Sequence, residues 1–171
     1  MSRSPTIHVF ASHEGPIYRD LRLRALAESP DAFGSTFAVE RERSDAEWMS
    51  RLAAAMDVRF HLPLVARLGS EPIGLAWGRI QDTDPDLAHV YQLWVVPEFR
   101  RLGTGRLLLD AVIDWARRAS VRRLELDVTC GDGPAARLYA QAGFKVAGDP
   151  EPLRSGSALM KQPMRLLLWG E

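Results

Sequence analysis

Residues 95–108 read Val-Val-Pro-Glu-Phe-Arg-Arg-Leu-Gly-Thr-Gly-Arg-Leu-Leu, an order that suits the binding of an anion. An apolar β-branched run stops at Pro97, a basic turn with glycines at 103 and 105 follows, and an apolar-periodic helix opens directly after it. A helix start leaves its first backbone N–H groups without intrahelical partners, and the aligned peptide dipoles place partial positive charge there. Gly103 and Gly105 carry no Cβ and so let a ligand approach the backbone closely. Arg100, Arg101 and Arg106 stand beside the turn, where charge-assisted bonds to phosphate oxygens would form. A pyrophosphate is the natural guest of such a junction. A P-loop is excluded, because no Gly-Lys-Ser/Thr is present to reach a terminal phosphate or hold magnesium. A Rossmann dinucleotide turn is excluded too, since Gly-x-Gly-x-x-Gly is absent.

The elements that must position this turn are legible as hydrophobic periodicity. A strand near Thr6–Phe10 comes first, and Ile17, Leu21 and Ala25 then recur at helical spacing up to Glu28-Ser29-Pro30. Asp31–Glu42 reads as a loop, and Ser44-Asp45-Ala46-Glu47 is a capping box that starts a second helix through about Met56. Arg59–Leu68 and Glu71–Ile80 read as a hairpin turning at Gly69-Ser70, followed by an acidic loop over Gln81–Asp86. The central strand is expected over Ala88–Val96 and the long helix over Gly103–Ser120, with Leu108, Ala111, Val112, Trp115 and Ala119 as its buried stripe. Leu124–Val128 reads as the next strand, with Leu124, Leu126 and Val128 on one face and Glu125 and Asp127 on the other. A short helix over Ala135–Gln141 stops at Gly143, and strands near Phe144–Ala147 and Met160–Trp169 flank a loop over Gly148–Ser157. The strand–long helix–strand unit implies a parallel crossover, and the glycine turn then lies at the strand-end edge where open sheets offer a ligand crevice.

Composition narrows the partners. The 171 residues are read as one domain, 1–171, with 46% hydrophobic and 26% charged residues. Formal net charge is zero, so no general affinity for nucleic acid or an anionic membrane is expected. The single Cys130 rules out an internal disulfide framework and suits a reducing compartment. His8, His13, His61 and His89 are scattered, so no metal site is expected. The first residues lack an apolar signal core, and no apolar run approaches membrane-spanning length, which together lead to the expectation of a soluble, cytoplasmic protein.

Two motifs carry a resemblance. Arg100-x-x-Gly103-x-Gly105, placed between a strand ending Leu93-Trp94-Val95-Val96 and a helix beginning at Arg106, resembles the cofactor motif of the GNAT superfamily of N-acetyltransferases. Asp132-x-x-Ala135-x-x-Leu138-Tyr139, closing with Gly143-Phe144, is similar to that family's second motif, with Asp132 where Asn is usual. The segment Leu21–Ser35 also looks like one N-terminal subgroup of the family. The resemblance implies a single-domain α/β fold, a mixed but mostly antiparallel sheet flanked by helices. It also implies acetyl-CoA as cosubstrate and a small-molecule or peptide amine as acceptor; homodimers are common in such proteins.

Residue by residue, the resemblance places the coenzyme A pyrophosphate on the backbone N–H groups of Arg101, Leu102, Gly103, Thr104, Gly105 and Arg106. Leu93, Trp94 and Val95 would offer main-chain groups to the pantetheine arm, the Trp94 side chain serving the core. Asp132 would contact the cofactor from the second motif. Tyr139 aligns with the family's general acid, a phenol able to donate to the departing thiolate. Relatives often carry a Glu just before the Leu-x-Val segment of the central strand, where this chain has Tyr91 and Gln92. Asp127 stands five residues before Asp132, where relatives commonly carry an acidic residue, and so is a candidate to deprotonate the amine through water, with His89 behind it. Cys130 is not expected to act as an acyl-enzyme nucleophile. A non-catalytic acyl-CoA-binding module is the competing reading, which turnover with an amine panel would discriminate.

Overall fold

The computed structural model describes residues 3–169. Strand β1 (Thr6–Val9) leads through a 3-10 turn into helix α1 (Gly15–Glu28). A 3-10 turn at Pro30–Ala32 and a short helix α2 (Phe37–Glu40), whose Thr36 Oγ1 accepts from Val39 N at 3.4 Å, break up the segment expected to be a plain loop. Helix α3 (Asp45–Ala54) starts at the expected capping box: Glu47 N–H donates to Ser44 Oγ (3.2 Å) and Ser44 N–H donates to Glu47 Oε2 (2.7 Å).

Strands β2 (His61–Leu68), β3 (Glu71–Gln81) and β4 (Asp84–Val95) form an antiparallel meander. The acidic loop shrinks to Asp82 and Thr83, because β4 begins at Asp84 and takes Pro85 into its first residues, ahead of its pairing with the next strand. Helix α4 (Thr104–Arg118) carries the chain to β5 (Arg123–Thr129), which lies parallel to β4 as the crossover required. Helix α5 (Pro134–Gln141) and strands β6 (Lys145–Val146), β7 (Glu151–Pro152) and β8 (Met160–Leu167) follow, β7 lying inside the expected Gly148–Ser157 loop. Strand order is β1-β2-β3-β4-β5-β8-β6 with β7 also on β8, and β4–β5 is the parallel pair in a sheet otherwise antiparallel among the described residues.

Helices cover both faces. On one, α4 buries Leu108, Leu109, Val112, Ile113, Trp115 and Ala116 against Leu64, Ala76, Ala88 and Val90. Each such large side chain contributes about 1.5–3 kcal/mol on leaving water. The stripe differs from expectation at its end: α4 stops at Arg118, Ala119 is exposed and Ala111 is half-buried, while Leu109, Ile113 and Ala116 go in. The buried band is wider than the stripe read from spacing, as a helix packed across several strands requires. Gly78 on β3 permits this approach, since a Cβ there would lie 2.8 Å from Trp115 Cζ3 and 3.1 Å from Val112 Cγ1. On the other face α1 and α3 pack Tyr18, Leu21, Ala25, Trp48 and Leu52 over Val65, Leu75 and Trp94. Tyr18 anchors that layer, with edge contacts to Phe10 and Trp48 at 5.8 and 5.4 Å between ring centroids.

No helix among the described residues is long and apolar enough to cross a membrane. No group of three or more His, Cys, Asp or Glu side chains there could hold a metal ion.

Candidate functional site

Strands β4 and β5 pair only over Leu87–His89 and Arg123–Glu125; past that point β5 pairs with β8 alone. The parting coincides with an irregularity in β4. The register with β3 shifts between Leu75/Trp94 and Trp77/Tyr91, and Gln92 sits in the left-handed region (φ 58°), held by a bond from Tyr18 Oη to its Oε1 (3.1 Å). A bulge bends and over-twists its strand, and here it turns the end of β4 away from β5. The result is a cleft of about 970 Å³ running from the end of α1 past the facing edges of β4 and β5 to α5. Along it the β4 edge lacks a partner strand.

The glycine turn follows the exit of β4. Arg101 (φ 66°) and Gly103 (φ 78°) both adopt left-handed backbone, a conformation costing a non-glycine residue about 1–2 kcal/mol. The helical ladder starts with Leu107 N–H donating to Gly103 O (3.0 Å), and none of the backbone N–H groups of residues 101–106 has a partner among the described residues. This is a ready anion cradle. The side chains around it are less free than their sequence positions suggest. Arg100 turns inward, donating through Nε to Val95 O (3.0 Å) and through Nη2 to Glu28 Oε2 (3.0 Å). Arg106 pairs with Asp110 one turn on, at 2.9 Å. Arg101 and Leu102 are exposed, and Thr104 is buried with its Oγ1 unpartnered.

Trp94 serves the core as expected, and its Nε1–H donates to Glu28 Oε2 at 2.9 Å. Glu28 thus ties the end of α1 to the start of the turn. Burial pushes its carboxyl up, but bonds from Ser29, Trp94 and Arg100 outweigh that and hold it below the usual carboxylate value. Leu93 lines the cleft, while the Val95 carbonyl is taken by Arg100.

Across the cleft stands Tyr139 of α5, buried (7% exposed) with an edge-on contact to Phe144 at 6.1 Å. Its hydroxyl has no hydrogen-bond partner among the described residues, and burial pushes the phenol up to about 12. Asp132 lies at the rim with its carboxylate exposed, 3.7 Å from Arg137 Nη1. Asp127 also lines the cleft, and Lys161 Nζ donates to its Oδ2 at 2.8 Å. The alternation of Glu125 and Asp127 therefore marks a face of paired charges: Glu125 accepts from Arg165 Nε at 2.7 Å. His89 stacks on Tyr91 with Nε2 3.5 Å from Glu125 and Nδ1 enclosed, and burial pulls its pKa down against the attraction of that carboxylate. Cys130 is exposed on the loop after β5.

The β4 edge, Tyr139, Asp127 and Asp132 thus belong to one groove, and the turn lies beyond the exit of β4 with Gly105 against Leu138 of α5. Sequence reasoning missed Arg22, Glu28, Phe33 and Lys161, which line the same cleft. For Arg22 a signal existed, a charged residue within the apolar stripe of α1. For the others the spacing carried none.

Comparison with known proteins agrees with this geometry. The model of the acetyltransferase (GNAT) family matches residues 23–144. A mycothiol acetyltransferase of Propionibacterium freudenreichii is 36% identical over 75 residues, 43% of this chain and 24% of that protein. A ribosomal protein bS18-alanine N-acetyltransferase of Salmonella typhimurium is 37% identical over 62 residues, 36% of this chain and 42% of that one. The chain thus spans less than half the length of these curated relatives. An N-acetyltransferase of Thermoplasma acidophilum solved with coenzyme A superposes with a TM-score of 0.75 at 18% identity, covering 96% of this chain and 99% of that one, which shows a shared fold.

Proposed function

This chain belongs to the acetyltransferase (GNAT) family, and from that premise we propose that its cleft takes acetyl-CoA and passes the acetyl group to a primary amine by direct attack in a ternary complex. One observation carries the reading: β4 parts from β5 over a cleft lined by the unpartnered phenol of Tyr139, and then runs out into the free backbone N–H groups at 101–106. Acetyl-CoA would supply a thioester whose carbonyl carbon the neutral amine attacks.

The residues divide the work. The N–H groups of 101–106 hold the phosphates, with Arg101 the arginine of the turn that has no partner among the described residues. Arg100 works as a brace, locking the exit of β4 to α1 through Glu28. The free edge of β4 around Leu93 and Trp94 offers main-chain groups to an extended, amide-bearing arm, as an added strand would use them. Asp132, exposed at the rim, would accept from the cofactor.

Tyr139 stays protonated throughout the working range, since its phenol lies at about 12. Full transfer to a free thiolate of pKa ~8.5 would be uphill by roughly 5 kcal/mol. Burial raises the leaving thiol as well, which narrows that gap. Tyr139 therefore acts first as a hydrogen-bond donor to sulfur as charge develops, the proton following as the sulfur becomes basic. Asp127 keeps Oδ1 clear of Lys161 and takes the ammonium proton through water.

A calorimetric titration tests the cofactor site. Acetyl-CoA should bind with a micromolar Kd, about −8 kcal/mol, and ATP and NAD should not match it. Gly103→Glu should abolish binding by placing a carboxylate at the cradle. Gly103→Ala, which bears the same backbone strain without the charge, should retain most of it. Preference for ATP would overturn the reading. Tight acetyl-CoA binding with no turnover over an amine panel would instead favour a binding module.

A further inference from the structure

Arg22 is a charged side chain in the cleft that the chemistry above does not use. It sits on α1 one turn past Tyr18, is 5% exposed, and lines the cleft that also holds Tyr139 and Asp127. No hydrogen bond from any of its side-chain nitrogens is present among the described residues, and Nη1 is completely enclosed without a partner. Phe33 covers the guanidinium, 4.6 Å from Cζ to the ring centroid.

The charged groups near it are already committed. Glu40, buried behind α1, accepts from Arg43 Nε (3.1 Å) and Arg51 Nη1 (2.8 Å). Glu28 is held by Arg100 and Trp94, and Asp127 by Lys161. Asp31 and Asp132 stand exposed at the rim and make no bond to Arg22. Tyr18 directs its hydroxyl to Gln92. Burial consequently pulls the Arg22 pKa down, and the charges of Tyr18 and Glu40 offset this only in part.

An enclosed guanidinium without a partner is unfavourable to a fold, because its desolvation is not offset by bonds. Its shape says what would complete it. Phe33 lies against the guanidinium, and Nε and Nη2, which unlike Nη1 are not fully enclosed, form the in-plane fork that meets a planar two-oxygen anion in parallel bonds. A single cation matches a single negative charge; Arg51, the other nearby guanidinium, is spent on Glu40. We propose that the acceptor is a small amine that also carries a carboxylate, with Arg22 holding the carboxylate while the amine reaches the acetyl group. This deepens, and rests on, the acetyl-transfer reading.

The test compares α-amino acids with their carboxamides as acceptors, in the wild type, Arg22→Met and Arg22→Lys. The wild type should prefer at least one acid over its amide by tenfold or more in kcat/KM, chiefly through KM. Arg22→Met should bring that acid down to the level of its amide, and Arg22→Lys should recover part of the difference. A merely structural arginine would not move this preference. Arg22→Met should also melt no lower than the wild type, since it removes an uncompensated buried charge.

A second readout needs no turnover. N-acetylated amino acids, with and without coenzyme A, should raise the wild-type Tm more than their carboxamides do, and Arg22→Met should erase the difference. Equal treatment of acids and amides by the wild type in both measurements overturns the proposal, as does a preference that survives Arg22→Met. Failure of the acetyl-transfer reading would show separately, in the calorimetric titration with acetyl-CoA.

Discussion

Replacing Tyr139 by Phe removes one oxygen and leaves the ring, its contact with Phe144 and the surrounding core in place. The hydroxyl has no hydrogen-bond partner among the described residues, so its loss breaks no bond within the protein. A desolvated, unsatisfied hydroxyl is itself worth about 1–3 kcal/mol in the unfavourable direction. Tyr139 lines an open cleft rather than a sealed core, so Tyr139→Phe should change stability by less than about 1 kcal/mol, toward higher stability. Its catalytic effect should be far larger. A preorganised donor to a developing anion contributes about 3 kcal/mol, which is about 10²-fold in kcat. Urea denaturation reads the first quantity, and release of free thiol under saturating substrates reads the second. The wild-type rate should show no decline from phenol ionisation up to pH 10, because the folded phenol lies at about 12. The stability sign follows from the same shift. A pKa raised on folding contributes fully below the unfolded value of about 10 and is lost as pH rises toward 12, so Tyr139→Phe should flatten the stability curve in that range. A variant that keeps kcat within twofold, or whose lost activity tracks lost stability, would refute the role and leave Tyr139 as packing.

Two further perturbations probe the rest of the site and its support. Asp127→Asn should lower kcat about tenfold near pH 7 and recover by pH 9, where more of the acceptor arrives neutral; a pH-independent loss would make Asp127 a structural partner of Lys161. Gly78→Ala puts a Cβ 2.8 Å from Trp115 Cζ3, so α4 must shift or Trp115 must leave its bond to Val58 O (2.7 Å). Overpacking of this kind should lower the unfolding free energy by about 1–3 kcal/mol, read as a lower urea midpoint.

Much of this protein was determined locally and could be read from one sequence. The capping box at Ser44, the Gly69-Ser70 hairpin and the strand–turn–helix junction at Pro97–Gly105 depend on residues within a few positions of one another, and each formed close to where spacing placed it. The free N–H groups of the turn are of this kind, since a helix start exposes them whatever surrounds it. The acidic loop and the loop before Ser44 were less legible, because pairing and packing extended a strand through Pro85 and folded α2 where composition alone suggested irregular chain.

The allocation of charge was decided by tertiary structure. Arg100, Arg101 and Arg106 look equivalent beside the turn, yet Glu28, 72 residues away from Arg100, claims the first and Asp110 the third. Asp127 acquires Lys161 from 34 positions along the chain, and Arg22 is left without a partner by the same packing that satisfies Glu40. A side chain's type sets which bonds it can make. Which bonds it does make depends on the groups that the sheet register and helix docking bring within about 3 Å, a distance that spacing along the chain does not encode.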